Sequence, residues 1–217
     1  MNKDSFIYRI IWLTIFSIAM AFVESAVVVY LRAIFYSDGF AFPLKAMVDY
    51  KIFVEVLRES ATMFMLLSVA CLAGRKVWER FAYFMMCFAI WDIFYYVWLK
   101  VLLDWPSSLL EWDVLFLIPL PWIGPVIAPV SISLLMIVLG LFIVADFQKG
   151  HDFRPSLLSI ILALAGTIIV LYTFMYDMDA TLHQQMPKPY RYDLLIVGNA
   201  LYVAAFLISY LKVDRKL

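Results

Sequence analysis

Six long apolar runs alternate with short polar or charged stretches along this chain. A helix needs about 20 apolar residues to cross the hydrocarbon of a bilayer, because it rises about 1.5 Å per residue. The pattern predicts spans over residues 10–31, 51–74, 81–103, 125–145, 155–176 and 194–211. We therefore expect an all-α, polytopic integral membrane protein in which residues 1–217 form a single transmembrane domain.

The segment before the fourth span differs from the other apolar runs because prolines interrupt it. Residues 114–145 carry no charge, which is too long a run for one straight span. Its first half contains Pro119, Pro121, Pro125 and Pro129, and each proline removes an amide donor from a helix. Non-helical backbone is tolerated at membrane depth where it packs against protein or faces a wet cavity. The sequence thus predicts a proline-broken or re-entrant segment packed against the spans.

Composition agrees with a membrane protein and excludes several other classes. Hydrophobic residues make up 65% of the chain and charged residues 16%, with a mean hydropathy of +0.91. A soluble domain carries about 25% charged residues. The sequence shows no basic, aromatic patch of the kind that binds nucleic acid. Two separate cysteines, Cys71 and Cys87, provide neither a disulfide framework nor a metal motif.

Loop charges predict the orientation of the chain. Ten lysines and arginines fall on the side of the two termini and five on the opposite side. The positive-inside rule therefore places both termini in the cytoplasm of a bacterial-type inner membrane. The opposite loops are acidic and include Asp104, Glu111 and Asp113, as expected of an outer surface.

Charged residues within the first three predicted spans are the main chemical feature. Glu55, Arg58 and Glu59 lie within five positions near the start of the second span. A charge inside a membrane costs about 2.5–3.5 kcal/mol, so it persists where it is paired, hydrated or useful. Counted along the helices, Glu59 lies roughly 12 Å below the outer boundary, Glu24 roughly 11 Å and Asp92 about 17 Å. These charges share the outer half of the membrane.

Helical spacing predicts that these residues face one another. Residues three or four apart are neighbours on a helix, so Asp92, Tyr96 and Lys100 form one stripe on the third span. The planar guanidinium of Arg58 can bind two carboxylates of the other stripes. Four acids remain against this one arginine: Glu24, Glu55, Glu59 and Asp92. The surplus predicts that some carboxyl groups carry a proton, or that a cation or a cationic ligand completes the site.

The candidate binding residues are Glu24, Arg58, Glu59, Asp92 and Tyr96, with Glu55, Lys100, Asn199, Trp91 and Trp122 as secondary candidates. Ion pairs near the ends of spans can also serve packing alone, and Glu55, Arg32 and Lys100 can reach the interface. The tryptophans are typical of an interfacial belt, and alternatively wall a pocket for a lipid chain or a cation. No metal site or cofactor is expected, because both histidines, His151 and His183, lie in loops.

Three functions remain open from the sequence. The first is a small transporter whose outward-facing carboxylates bind a proton, a cation or a small amphipathic ligand. The second is an intramembrane enzyme that uses a carboxylate as general acid or base on a lipid or quinone-like substrate. The third is an accessory subunit of a larger membrane complex. The expected partners are the lipid bilayer, a small cationic or lipid-like ligand, and a homo-oligomer or larger complex, without nucleic acid.

Overall fold

Six helices in the described part of the chain are long and apolar enough to cross a membrane. The computed structural model describes residues 3–36, 39–43, 49–118 and 120–211. The helices are α1 (Lys3–Phe35), α2 (Asp49–Ala73), α3 (Val77–Leu103), α4 (Ile127–Gln148), α5 (Leu157–Met175), the short α6 (Met178–Leu182) and α7 (Tyr192–Leu211). The predicted all-α, multi-pass architecture is confirmed. Pro119 and several charges counted for the orientation, among them Asp38, Lys45 and Lys212, lie outside the described residues.

Short connections, residues 74–76 and residues 149–156, join α2 to α3 and α4 to α5, so each pair runs antiparallel. The backbone amides of Arg75 and Lys76 donate to the Glu79 carboxylate, at 2.7 and 3.4 Å, which satisfies amides at the start of α3. Gly74 is required in this turn, since a Cβ there would lie 2.8 Å from the backbone nitrogen of Arg80. α5 begins at a capping serine, Ser156. Both turns lie at the same end of the molecule.

α3 is the central helix, because it packs against α1, α2 and α4. The core between them is buried and apolar and includes Leu66, Tyr83, Cys87 and Val144. α5 and α7 form a second packed pair, in which the peptide groups of Gly166 and Gly198 approach closely. Small residues permit this approach and give membrane helices a large van der Waals contact.

The segment between α3 and α4 is a β-hairpin. Its strands β1 (Trp112–Phe116) and β2 (Trp122–Pro125) pair antiparallel, with Asp113 opposite Gly124. The prolines predict a break here, but not this strand pairing. Both strands are edges of a two-stranded sheet, where proline is tolerated. The hairpin packs against α5 and α6 on one side and contributes β1 to a cavity on the other.

Candidate functional site

A cavity of about 440 Å³ lies between α1, α2, α3 and the hairpin. Pockets that bind small molecules commonly enclose about 300–1,000 Å³. All five principal candidates line it, together with two secondary candidates, Glu55 and Trp91. The ionisable groups in its wall are Glu24, Arg32, Glu55, Arg58, Glu59, Asp92 and Asp113. Five carboxyl groups thus face two guanidinium groups, so the formal surplus of carboxylate is three.

Arg58 joins two of the carboxylates and two of the helices. Its Nε lies 2.8 Å from Oε2 of Glu55, one turn earlier on α2, and its Nη1 contacts Oε2 of Glu24 on α1. Thr62, one turn later on α2, donates its hydroxyl to Oε1 of the same Glu24. Glu24 and Glu55 are buried, so these contacts replace the water that their charges have lost. The predicted stripes on α1 and α2 therefore meet at Arg58.

A second ion pair connects the hairpin to α1. The Nη2 of Arg32 lies 3.3 Å from Oδ1 of Asp113, and both residues are buried. The guanidinium also lies over the rings of Phe40, at 4.1 Å, and Trp105, at 3.8 Å. The Tyr96 hydroxyl hydrogen-bonds the same carboxyl group. Burial raises the pKa of Asp113 to about 6, while the charge of Arg32 opposes this shift.

Glu59 and Asp92 differ from the other carboxylates of the cavity because, within the described residues, neither forms an ion pair with a guanidinium and each accepts its hydrogen bond from a neutral donor. The backbone N–H of Leu117 donates to Oε2 of Glu59 at 2.9 Å. The hydroxyl of Ser133 donates to Oδ2 of Asp92, also at 2.9 Å. A buried carboxylate is stable when it is neutral or when a positive charge lies beside it. These two groups therefore belong to the part of the carboxylate surplus that no guanidinium of the described residues contacts in an ion pair.

Three secondary candidates do not line the cavity. Lys100 is exposed at the end of α3, where its Nζ lies 2.7 Å from Oδ1 of Asp104. The Asn199 amide donates to Ser131 at 3.4 Å, between α7 and α4. Trp122 stacks on a phenylalanine of α5, with 6.0 Å between the ring centroids. Asn199 and Trp122 thus join elements of the fold away from the cavity, whereas Lys100 pairs at the end of its own helix.

Sequence reasoning missed two residues of the cavity wall. It placed Asp113 in an acidic outer loop and Arg32 at the rim, whereas both are buried in a common ion pair. Arg32 is covered because α1 continues to Phe35 and the aromatic side chains of later loops fold over it. The sequence signal for Asp113 is its position between Trp112 and an apolar run, which is unusual for an exposed loop acid.

Within the described residues, no group of three or more histidine, cysteine, aspartate or glutamate side chains is arranged to hold a metal ion. Comparisons with protein-family models, with curated proteins and with solved structures found no match to this chain.

Proposed function

We propose that this protein is a small membrane transporter that binds an organic cation in the cavity between α1, α2, α3 and the hairpin. The observation that carries the proposal is the pair formed by Glu59 and Asp92, two carboxylates of one cavity whose hydrogen-bond donors are neutral. The arginines already engage Glu24, Glu55 and Asp113. A cation between Glu59 and Asp92 offsets part of the remaining negative charge.

The walls of the cavity support an organic cation over a metal ion or a bare proton. Aromatic rings contribute much of the lining, including Phe40, Trp91, Tyr95, Tyr96 and Phe116. The ring faces attract an ammonium group by about 0.5–2 kcal/mol, and they also pack against its apolar substituents. A proton or a metal ion uses neither the apolar wall nor a volume of about 440 Å³. The ligand class that fits is a small amine or a quaternary ammonium compound.

The hydrogen bond to Glu59 supports transport over static binding. Leu117 directly follows β1, so its N–H joins the hairpin to the carboxylate that we assign to the cation. A cation that approaches Glu59 competes with this N–H for the same oxygen. Occupancy of the cavity then alters a contact between the hairpin and α2, and a transporter needs such a link between its ligand and the segments around it.

Uptake into liposomes tests the proposal. Purified protein is reconstituted, an inside-negative potassium diffusion potential is imposed, and uptake of radiolabelled tetramethylammonium, choline and benzyltrimethylammonium is measured. We expect the wild-type protein to take up at least one of them. Glu59→Gln and Asp92→Asn should each slow uptake about tenfold or more, because each removes a negative charge, and opposite charges about 5 Å apart attract by about 3 kcal/mol at an effective dielectric constant of about 20. The matched control is Asp104→Asn, which removes an exposed acid at the same end of α3.

Three results would contradict this assignment. Uptake by both cavity variants at the wild-type rate would show that the two carboxylates do not form the site. Recovery of a chemically altered cation would favour the intramembrane enzyme. Saturable binding of the cation without movement into the liposome would favour a binding or accessory subunit.

A further inference from the structure

The end of the molecule farthest from the cavity carries a surface that we call the basic rim. It consists of exposed side chains in the α2–α3 turn, the first turn of α3 and the α4–α5 turn, namely Arg75, Lys76, Arg80, Lys149 and Arg154. The two turns touch, because Nζ of Lys76 lies 3.1 Å from Oδ1 of Asp152 and Nη2 of Arg154 lies 2.7 Å from Oδ2 of the same residue. The five cations therefore form one surface.

The basic rim has more positive charge than its acids can balance. Among the described residues at this end, Glu79 and Asp146 are buried within the protein, where they contact Arg9 and His151. Asp152 is shared by two cations, whose side chains lower its pKa. At the opposite end, exposed Lys100, Lys188 and Arg191 each pair with a separate aspartate. The basic rim thus presents five cations with one partly exposed carboxylate between them.

Apolar side chains that face outward lie directly beside these cations. Leu72 is 87% exposed, Val77 74% and Leu157 74%, and each is within a turn of the basic rim. These helices are long and apolar enough to cross a membrane, and in a membrane such outward-facing side chains would contact acyl chains. A phospholipid can contact the cations and the apolar side chains together, because its phosphate is negative and its acyl chains are apolar. A free phosphate ion would contact the cations alone.

We propose that the basic rim binds the headgroup of an anionic phospholipid, with the acyl chains along the exposed apolar residues of α2, α3 and α5. Each Lys or Arg near an anionic membrane surface strengthens binding about fivefold. The rim also lies on the side that the loop charges predict to be cytoplasmic, where anionic lipids lend the leaflet a negative surface potential. The lipid would connect the α2–α3 turn to the α4–α5 turn.

Native mass spectrometry of the detergent-solubilised protein tests this proposal. Phosphatidylglycerol and cardiolipin are titrated against phosphatidylcholine, and bound lipid is counted. We expect wild-type protein to retain the two anionic lipids preferentially. The variant Arg75→Gln/Lys149→Gln/Arg154→Gln should weaken their binding about a hundredfold, as three steps of about fivefold each predict. The matched control, Lys51→Gln/Lys100→Gln/Arg191→Gln, removes three exposed cations from the opposite end and should bind like the wild type.

Equal retention of phosphatidylcholine and phosphatidylglycerol would overturn the proposal, as would an equal loss of binding in the control variant. Displacement of the lipid by an equal concentration of inorganic phosphate would assign the rim to a free anion instead. If the triple variant does not fold, Arg75→Gln and Arg154→Gln singly should each weaken binding about fivefold, and unchanged binding in both would contradict the assignment. The readout is independent of cation uptake, so a protein that transports nothing can still bind the lipid.

Discussion

Replacement of Arg58 by methionine should destabilise the protein strongly. Methionine preserves an unbranched apolar stem but removes the guanidinium, so Glu24 and Glu55 lose their shared partner. Loss of one partner from a buried ion pair costs about 3–5 kcal/mol. The side chain of Arg58 is 23% exposed, and water can partly replace it. We therefore expect the free energy of unfolding to fall by about 3 kcal/mol, at the lower end of this range.

Reversible unfolding in mixed micelles, titrated with dodecyl sulfate and followed by tryptophan fluorescence, measures this change. The double variant Arg58→Met/Glu24→Gln distinguishes an unpaired charge from a loss of packing. Glu24 is the more buried of the two carboxylates, so its neutralisation should recover about 1–2 kcal/mol. The control is Arg191→Gln, which breaks an exposed ion pair with Asp193 and should leave the unfolding free energy unchanged.

A loss of less than about 1 kcal/mol in Arg58→Met would refute the reasoning, because two unpaired carboxylates cannot remain buried at so small a cost. Additive effects of Arg58→Met and Glu24→Gln would refute it as well. Residues joined by an ion pair show a coupling energy in such a cycle, whereas independent positions show none.

Two further predictions concern packing and pH. Gly198→Ala should lower the free energy of unfolding by about 1–3 kcal/mol, because the new Cβ would lie 2.6 Å from Cγ2 of Val170. The double variant Gly198→Ala/Val170→Ala should lose less unfolding free energy than the sum of the losses in the two single variants. Additive losses in dodecyl sulfate titrations would contradict the close approach of Gly198 to Val170. Stability should fall as pH rises from about 4 to about 6, since burial raises the pKa of Asp113 from 3.8 to about 6 and the folded protein retains a proton that the unfolded chain has released. In unfolding titrations repeated at each pH, Asp113→Asn should flatten the dependence of the unfolding free energy on pH, whereas the control Asp104→Asn should not. Equal slopes in the wild type and in Asp113→Asn would count against the burial of this carboxyl.

The number, order and approximate positions of the membrane helices were predictable from the sequence. The predicted spans 51–74 and 81–103 match α2 and α3 closely, because both helices are bounded by charges and turn residues. The first helix extends from Lys3 to Phe35, beyond its predicted span of 10–31. Intrahelical hydrogen bonds continue past the hydrocarbon boundary and extend the helix by further turns. The length of the apolar run alone does not reveal these additional turns.

The hairpin required the tertiary structure. Strands of five and four mostly apolar residues, such as Trp112–Phe116, have no periodicity that separates them from a buried helix. Prolines exclude a continuous helix but do not choose the partner of a strand. Besides the pairing of β1 with β2, the hairpin makes contacts between β2 and α5, which are distant from each other in the chain and are not readable from a local sequence pattern.

The candidate site was likewise predictable from the sequence in part, and its remaining features required the tertiary structure. Helical spacing and depth were sufficient to group Glu24, Arg58 and Glu59, because rigid helices of known rise hold residues at calculable levels. The sequence by itself also determined that carboxylates outnumber arginines there. Only the tertiary structure decided that Asp113 joins the cavity, because its burial depends on the hairpin and on Arg32. The tertiary structure likewise decided which acids the arginines contact. These contacts depend on the rotation of each helix about its own axis, and side-chain packing determines that rotation.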